Sequence, residues 1–214
     1  MPVLFRAIVA SILAVALSLT AGDAMALEEP EYTVVERHDG FEIRRYEPYL
    51  VAEVAVAGSM RGSDGDAFRI LANYIFGGNQ SDTRMSMTAP VESTPAQAGS
   101  AFAETRSAVE DGWTYSFVME RRYSKASLPV PNDERIKITE RPARTMAVRR
   151  FSGRWTKDNV AENERALFRA VEQAGLKIVG KPVLARYDAP YKPWFMRRNE
   201  VMVSIVPEAT TTEY

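Results

Sequence analysis

Cysteine is absent from this chain of 214 residues, and histidine occurs once, as His38. Without cysteine there is no disulfide, no thiolate haem ligand, no iron–sulfur cluster, no covalent c-type haem and no lipobox for a lipid anchor. A single histidine excludes a Ser-His-Asp triad, a histidine-rich zinc centre and bis-histidine haem ligation. The fold is therefore held by its core alone. Any ligand is gripped by apolar surface, Arg, Lys, Tyr and Met.

Charge of one sign is lacking as well: 27 Lys and Arg stand against 28 Asp and Glu, a net charge of −1. That balance argues against a nucleic-acid or polyanion partner. A long hydrophobic run is also missing. The N-terminal apolar stretch, residues 7–19, is roughly 13 residues, short of the ~20 a spanning helix needs. It follows Arg6 and precedes Ala24-Met25-Ala26, the small-x-small pattern of a secretory cleavage site. Residues 1–26 are expected to be a signal peptide cleaved after Ala26. Residues 27–214 would then form one periplasmic or secreted domain, a monomer or weak dimer with no stable membrane anchor. The leader carries one base and one acid, Arg6 and Asp23, so cleavage leaves the charge balance unchanged.

The rest of the chain reads as strands with two helices. Residues 36–46 form a hairpin around His38-Asp39-Gly40, and residues 49–57 a further strand. A polar, glycine-rich break over 58–66 offers Ser63 or Asp64 as cap for a helix over 67–76, stopped by Gly77-Gly78-Asn79. Residues 84–92 are extended, and 93–111 read as a loop. Trp113, Tyr115, Phe117 and Met119 then alternate with Thr114, Ser116 and Val118, a strand with one face in the core. The second half repeats this order. Strands over 135–140 and 144–151 lead through Ser152-Gly153 to a helix over 157–174, striped by Val160, Leu167, Phe168 and Val171. Strands over 181–187 and 199–206 follow. Mostly antiparallel strands with two helices make an α+β domain, expected as a distorted antiparallel β-barrel with a helix on each side.

One segment is richer than the others. Tyr187-Asp188-Ala189-Pro190-Tyr191-Lys192-Pro193-Trp194-Phe195-Met196 is a loop stiffened by two prolines and loaded with rings, and it runs into Arg197-Arg198. Prolines limit the entropy lost on ordering a loop. Flat aromatic surface beside cations suits a flat, apolar, anionic ligand.

With this segment in view, the chain resembles the SOUL haem-binding protein family from Tyr32 to Val206. The likeness rests on Glu42-Ile43-Arg44-Arg45-Tyr46, on Tyr74-Ile75-Phe76-Gly77-Gly78-Asn79 and on Met87-Thr88-Ala89-Pro90-Val91. It rests also on Tyr187-Asp188-Ala189-Pro190 leading to Arg197-Arg198-Asn199-Glu200-Val201. The resemblance implies two pseudo-symmetric β-α-β-β units, spanning residues 32–120 and 133–206, related to bacterial effector-binding domains. It also implies non-covalent binding of haem or another tetrapyrrole without an obligatory axial histidine. The groove it implies lies between the first helix and the loop before the last strand. Carried over, its walls are Phe68, Leu71, Ala72 and Ile75 on the helix, and Tyr191, Lys192, Trp194 and Phe195 on the loop. Better-studied members carry basic residues on the first helix. Here that helix offers Asp66, Asn73 and a single cation, Arg69, which predicts a looser grip on propionates.

Other candidates have simpler readings. His38 precedes a tight turn and reads as a solvent-facing turn residue. Met85 and Met87 share a strand face and read as core, and Met196 is a weak axial candidate. Arg198 and Glu200 point the same way by strand alternation and are expected to pair. The function expected is that of a haem carrier, buffer or scavenger, not an enzyme. One alternative is a binding module for another small apolar effector or a protein partner. A less favoured one is an enzyme using Tyr115 with Glu120 or Glu200 as an acid–base pair.

Overall fold

The structure is a computed structural model that describes residues 27–95 and 112–207. The expected leader, 1–26, and most of the loop expected over 93–111 lie outside them. The strands are β1 (Tyr32–His38), β2 (Phe41–Tyr46), β3 (Tyr49–Ala57), β4 (Val91–Pro95), β5 (Gly112–Val118), β6 (Lys137–Arg141), β7 (Arg144–Phe151), β8 (Leu176–Arg186) and β9 (Asn199–Pro207). Two α-helices, α1 (Met60–Ile75) and α2 (Lys157–Gln173), and a short 3-10 turn (Trp194–Met196) complete the order. Among the described residues no helix is long and apolar enough to cross a membrane.

The strands form one antiparallel nine-stranded sheet in the order β1-β2-β7-β9-β8-β4-β5-β3-β6. Apart from the extra edge strand β1, the order mirrors itself about the β8–β4 seam. On one side β8 pairs with β9 and β9 with β7; on the other β4 pairs with β5 and β5 with β3. The flanking strands cross over, since β2 adds to β7 and β6 adds to β3. Each half of the chain thus lends a strand to the other. The expected barrel is corrected on one point: among the described residues β1 and β6 are edges and no ladder joins them, so the sheet is open.

Local chemistry accounts for the elements. Gly40, at φ +84°, turns the β1–β2 hairpin, a conformation that a side chain disfavours. Trp113, Tyr115, Phe117 and Met119 are all buried, forming one apolar row under α1. Thr156 caps α2 by accepting from the Asn159 N–H at 3.3 Å, and Val160, Leu167 and Val171 are buried below it. Two boundaries differ from expectation. Ser93–Pro95 belongs to β4 and not to a loop. Helix α1 begins at Met60, well before residue 67, so Ser63 and Asp64 lie inside it. Gly62 and Gly65 each weaken a helix interior by ~1 kcal/mol. Tertiary contacts offset that: Met60 is buried, its carbonyl accepts from the Tyr115 hydroxyl at 2.7 Å, and Asp64 pairs with Arg186 at 2.6 Å.

Candidate functional site

The loop between β8 and β9 is pinned from beneath. Asp188 accepts from the Lys192 ammonium and from the Arg198 backbone N–H, both at 2.6 Å, and so ties the loop's two ends together. The Arg197 guanidinium donates to the Lys192 carbonyl at 2.8 Å and to the Pro190 carbonyl. Gly153 N–H donates to the Trp194 carbonyl at 3.0 Å, and buried Asn199 bridges the Gly153 carbonyl and the Trp155 indole N–H. Gly153 is required here: its φ is +113°, and a Cβ would meet Asn159 Nδ2 at 2.6 Å. The backbone is satisfied inward while the side chains stand outward. Tyr191 is 90% exposed, Phe195 60%, Met196 58% and Trp194 49%. Trp194 and Phe195 meet at 88° with centroids 5.6 Å apart, making a corner of two flat walls.

The Asp188 staple has a pH signature. Burial favours its neutral form, but the Arg198 N–H and the Lys192 ammonium outweigh that and hold the carboxyl below its usual range. A depressed folded pKa stabilises the loop above the unfolded value, and the contribution is lost as pH falls below about 4. Tryptophan emission, taken as the difference between the protein and Trp194→Phe, is expected to change only in that acid range. Asp188→Asn should already show the released signal at neutral pH; an unchanged acid transition in that variant would rule the staple out.

Beside the loop lies a cleft of about 250 Å³ between the N-terminal ends of the two helices. Met60 and Asp64 of α1 form one side, Arg154, Trp155 and Thr156 the other, with Arg186 and Arg197 between. The Arg154 guanidinium lies 5.7 Å from the Trp194 ring centroid, so cleft and aromatic loop are continuous. A larger cleft of about 490 Å³ is lined by residues of β1, β2, β7 and β9. Most of its charges are spent on one another: Arg37 and Arg44 on Glu42, Arg44 and Arg198 on Glu200.

The structure distributes the expected site residues unevenly. Leu71 and Ile75 point into the core, at 0% and 2% exposure. Phe68, at 47%, and half-buried Ala72 are the members of that helical set with open surface. They follow Asp64 at i+4 spacing, so one side of α1 runs from the cleft outward. Phe68 also packs edge-on against buried Phe117 at 5.4 Å. Lys192 belongs to the loop, but its charge is committed to Asp188. Arg69 pairs with Asp66 at 2.7 Å. His38 is not a free turn residue: its ring stacks on Phe41 at 4.4 Å and Nε2 lies 3.0 Å from Glu36. Met85 is buried and Met87 packs against the core.

Glu200 is fully buried, 2.9 Å from Arg44, 3.1 Å from Arg198, and 2.9 Å from the Tyr187 hydroxyl that donates to it. The expected Arg198–Glu200 pair is therefore part of a wider network. For Arg44 and Arg198 burial opposes the charge, but Glu200 together with Tyr46 at Arg44, and with Tyr187 and Glu29 at Arg198, outweighs it and raises both above the ordinary guanidinium value. Burial, then Glu200, pushes the Tyr187 hydroxyl well above the usual phenol range. The suggested acid–base groups are engaged elsewhere: Tyr115 donates to the Met60 carbonyl, and Glu120 accepts from the Ser86 N–H and from Arg122. Sequence reasoning missed Arg154, Trp155 and Arg186. The available signal was Gly153-Arg154-Trp155-Thr156, a cation and an indole between a glycine turn and a helix cap.

The profile of the SOUL heme-binding protein family matches residues 27–204, most of the chain. The chain belongs to that family. The SOUL match supports a small-molecule, tetrapyrrole-type ligand and is consistent with a binding protein. No curated protein shows significant sequence similarity to the chain. Among solved structures, the C-terminal domain of EcmrR has a TM-score of 0.59 at 13% identity, covering 82% of this chain and 98% of that one. An uncharacterized conserved protein from Listeria innocua has a TM-score of 0.58 at 12% identity, covering 85% and 94%. A hydrolase from the same organism has a TM-score of 0.51 at 10% identity, covering 86% and 94%. At such identities these likenesses establish the SOUL chain's fold alone.

Proposed function

We propose that this protein binds haem or a related tetrapyrrole non-covalently and serves outside the cytoplasm as a carrier, buffer or scavenger. The macrocycle rests on Tyr191, Trp194 and Phe195 and on the open side of α1 at Phe68 and Ala72. The observation that carries this reading is the aromatic loop: four large apolar side chains held outward on a backbone fixed from beneath. Contiguous exposed apolar surface on an ordered segment marks a binding site. The residues suit the group. Flat rings match a flat macrocycle, and Arg154, which has no carboxylate partner among the described residues, stands over the Trp194 ring, where it can meet a propionate. Lys192 contributes by holding Asp188 and the loop's shape. Met196, exposed beside the rings, is the available soft axial donor.

Covering ~300 Å² of macrocycle at ~25 cal/mol per Å² contributes roughly 7 kcal/mol before ordering costs. Binding is therefore expected to be micromolar or weaker. Titration with ferric haem, followed at the Soret band, should give a saturable one-to-one shift. A shift that grows linearly with haem and never saturates would sink the assignment.

A further inference from the structure

We infer that the cleft between the two helix N-termini is a binding site for an organic carboxylate. Three guanidiniums, Arg154, Arg186 and Arg197, line it against one carboxylate, Asp64, leaving two positive charges uncompensated among the lining residues. Asp64 is already taken by Arg186 at 2.6 Å. Among the described residues Arg154 and Arg197 have no carboxylate partner. Arg186 and Arg197 both face the Trp155 ring, at 4.8 and 5.0 Å from its centroid. Asp64 neutralises Arg186 alone, so the Arg197 charge on the same indole keeps no carboxylate among the described residues in this half-enclosed cleft.

A second, independent observation points the same way. Arg186 is 8% exposed, and its Nε–H, buried, has no hydrogen-bond partner. A buried donor without a partner among the described residues costs free energy, so the guanidinium at the centre of the cleft's lining is only partly satisfied by Asp64. The helices add to this. α1 starts at Met60 and α2 is capped by Thr156, so both present their positive ends to the same space.

The class of ligand follows from the walls. Guanidiniums bind carboxylates in plane and bidentately, and the indole offers a flat apolar surface for the carbon attached. At about 250 Å³ the cleft lies below the ~300–1,000 Å³ of drug-sized sites, so it takes a small acid or one arm of a larger one. A free carboxylic acid and a tetrapyrrole propionate share this chemistry. The site does not depend on the tetrapyrrole reading.

The test uses the full chain titrated with succinate and observed by NMR at the arginine Nε–Hε resonances. Dimethyl succinate, sodium chloride at matched ionic strength and inorganic phosphate serve as comparisons. The expected result is a saturable downfield shift of the Arg186 resonance with succinate, absent with the diester and with chloride. In Arg154→Gln, an exposed position that spares the fold, succinate should bind roughly tenfold more weakly, the loss of one charge-assisted contact. No saturable shift, an equal shift with the diester or chloride, or unchanged affinity in Arg154→Gln would overturn the site. Phosphate binding as tightly as succinate would overturn the carboxylate class.

Haem separates the two sources. If succinate competes with haem, the cleft serves the propionate; if both bind together, it serves a free acid; either supports the site. Haem binding with no succinate response removes the cleft and leaves the tetrapyrrole reading standing. A succinate response without haem binding does the reverse.

Discussion

Replacing Glu200 with alanine is expected to destabilise the protein by about 3–5 kcal/mol, the cost of stranding a buried charge by deleting its partner. Glu200 is fully buried between Arg44, whose side chain is 6% exposed, and Arg198, at 20%. Its removal takes the buried one of two carboxylate partners from each guanidinium, leaving Arg44 with the more exposed Glu42 and Arg198 with the more exposed Glu29, and orphans the Tyr187 hydroxyl that donates to it. For a chain of this size the thermal midpoint should fall by roughly 10 °C. Glu200→Gln, which keeps volume and an acceptor, should lie between the two. Combining Glu200→Ala with Arg44→Leu should cost less than the sum of the single changes, because the second removes the charge that the first strands. Thermal melts of the four proteins decide it, and strict additivity would mean the pair does not interact.

The second large effect concerns ligand. Trp194→Ala/Phe195→Ala should weaken haem binding by roughly 30-fold, since a buried aromatic anchor contributes about 2 kcal/mol or more to an interface. Both rings are about half exposed or more, and the loop's bonds run through its backbone and through Asp188, Lys192 and Arg197. The melting temperature should therefore hardly move. A variant that melts normally and binds haem like the original would place the ligand elsewhere.

Much of this was legible in the sequence, and the reasons are local. Alternation at Trp113–Met119 and the 3.6-residue stripe of α2 depend on which face is buried, and both read correctly. The Tyr187–Met196 segment could be recognised as a stiff, ring-rich loop because prolines and turn residues punctuate it, but its exposure could not. What stayed hidden depends on tertiary pairing. The start of α1 at Met60 defies its glycines because Tyr115 and Arg186 hold its first turn. The crossing of β2 to β7 and of β6 to β3 joins residues about a hundred apart, and nothing in either strand encodes its neighbour. Closure of the sheet was expected from a run of antiparallel strands with two helices, yet edges are set by which backbone groups find partners. At the site, the helical set Phe68, Leu71, Ala72 and Ile75 lies on one face by periodicity, but periodicity does not divide a face into core and surface. The arginine cleft was missed because its three guanidiniums come from positions 154, 186 and 197, and only folding brings them around Trp155.

Where the ligand lies can be read directly. Gallium protoporphyrin, a diamagnetic stand-in for haem, titrated into isotope-labelled protein would map the site residue by residue. The largest amide shifts are expected on Tyr191 to Met196 and on the Phe68–Ala72 side of α1, with smaller ones at Arg154 and Trp155. Shifts centred instead on Tyr32, Arg44 and Val148, in the larger cleft on the other flank of the sheet, would contradict this placement.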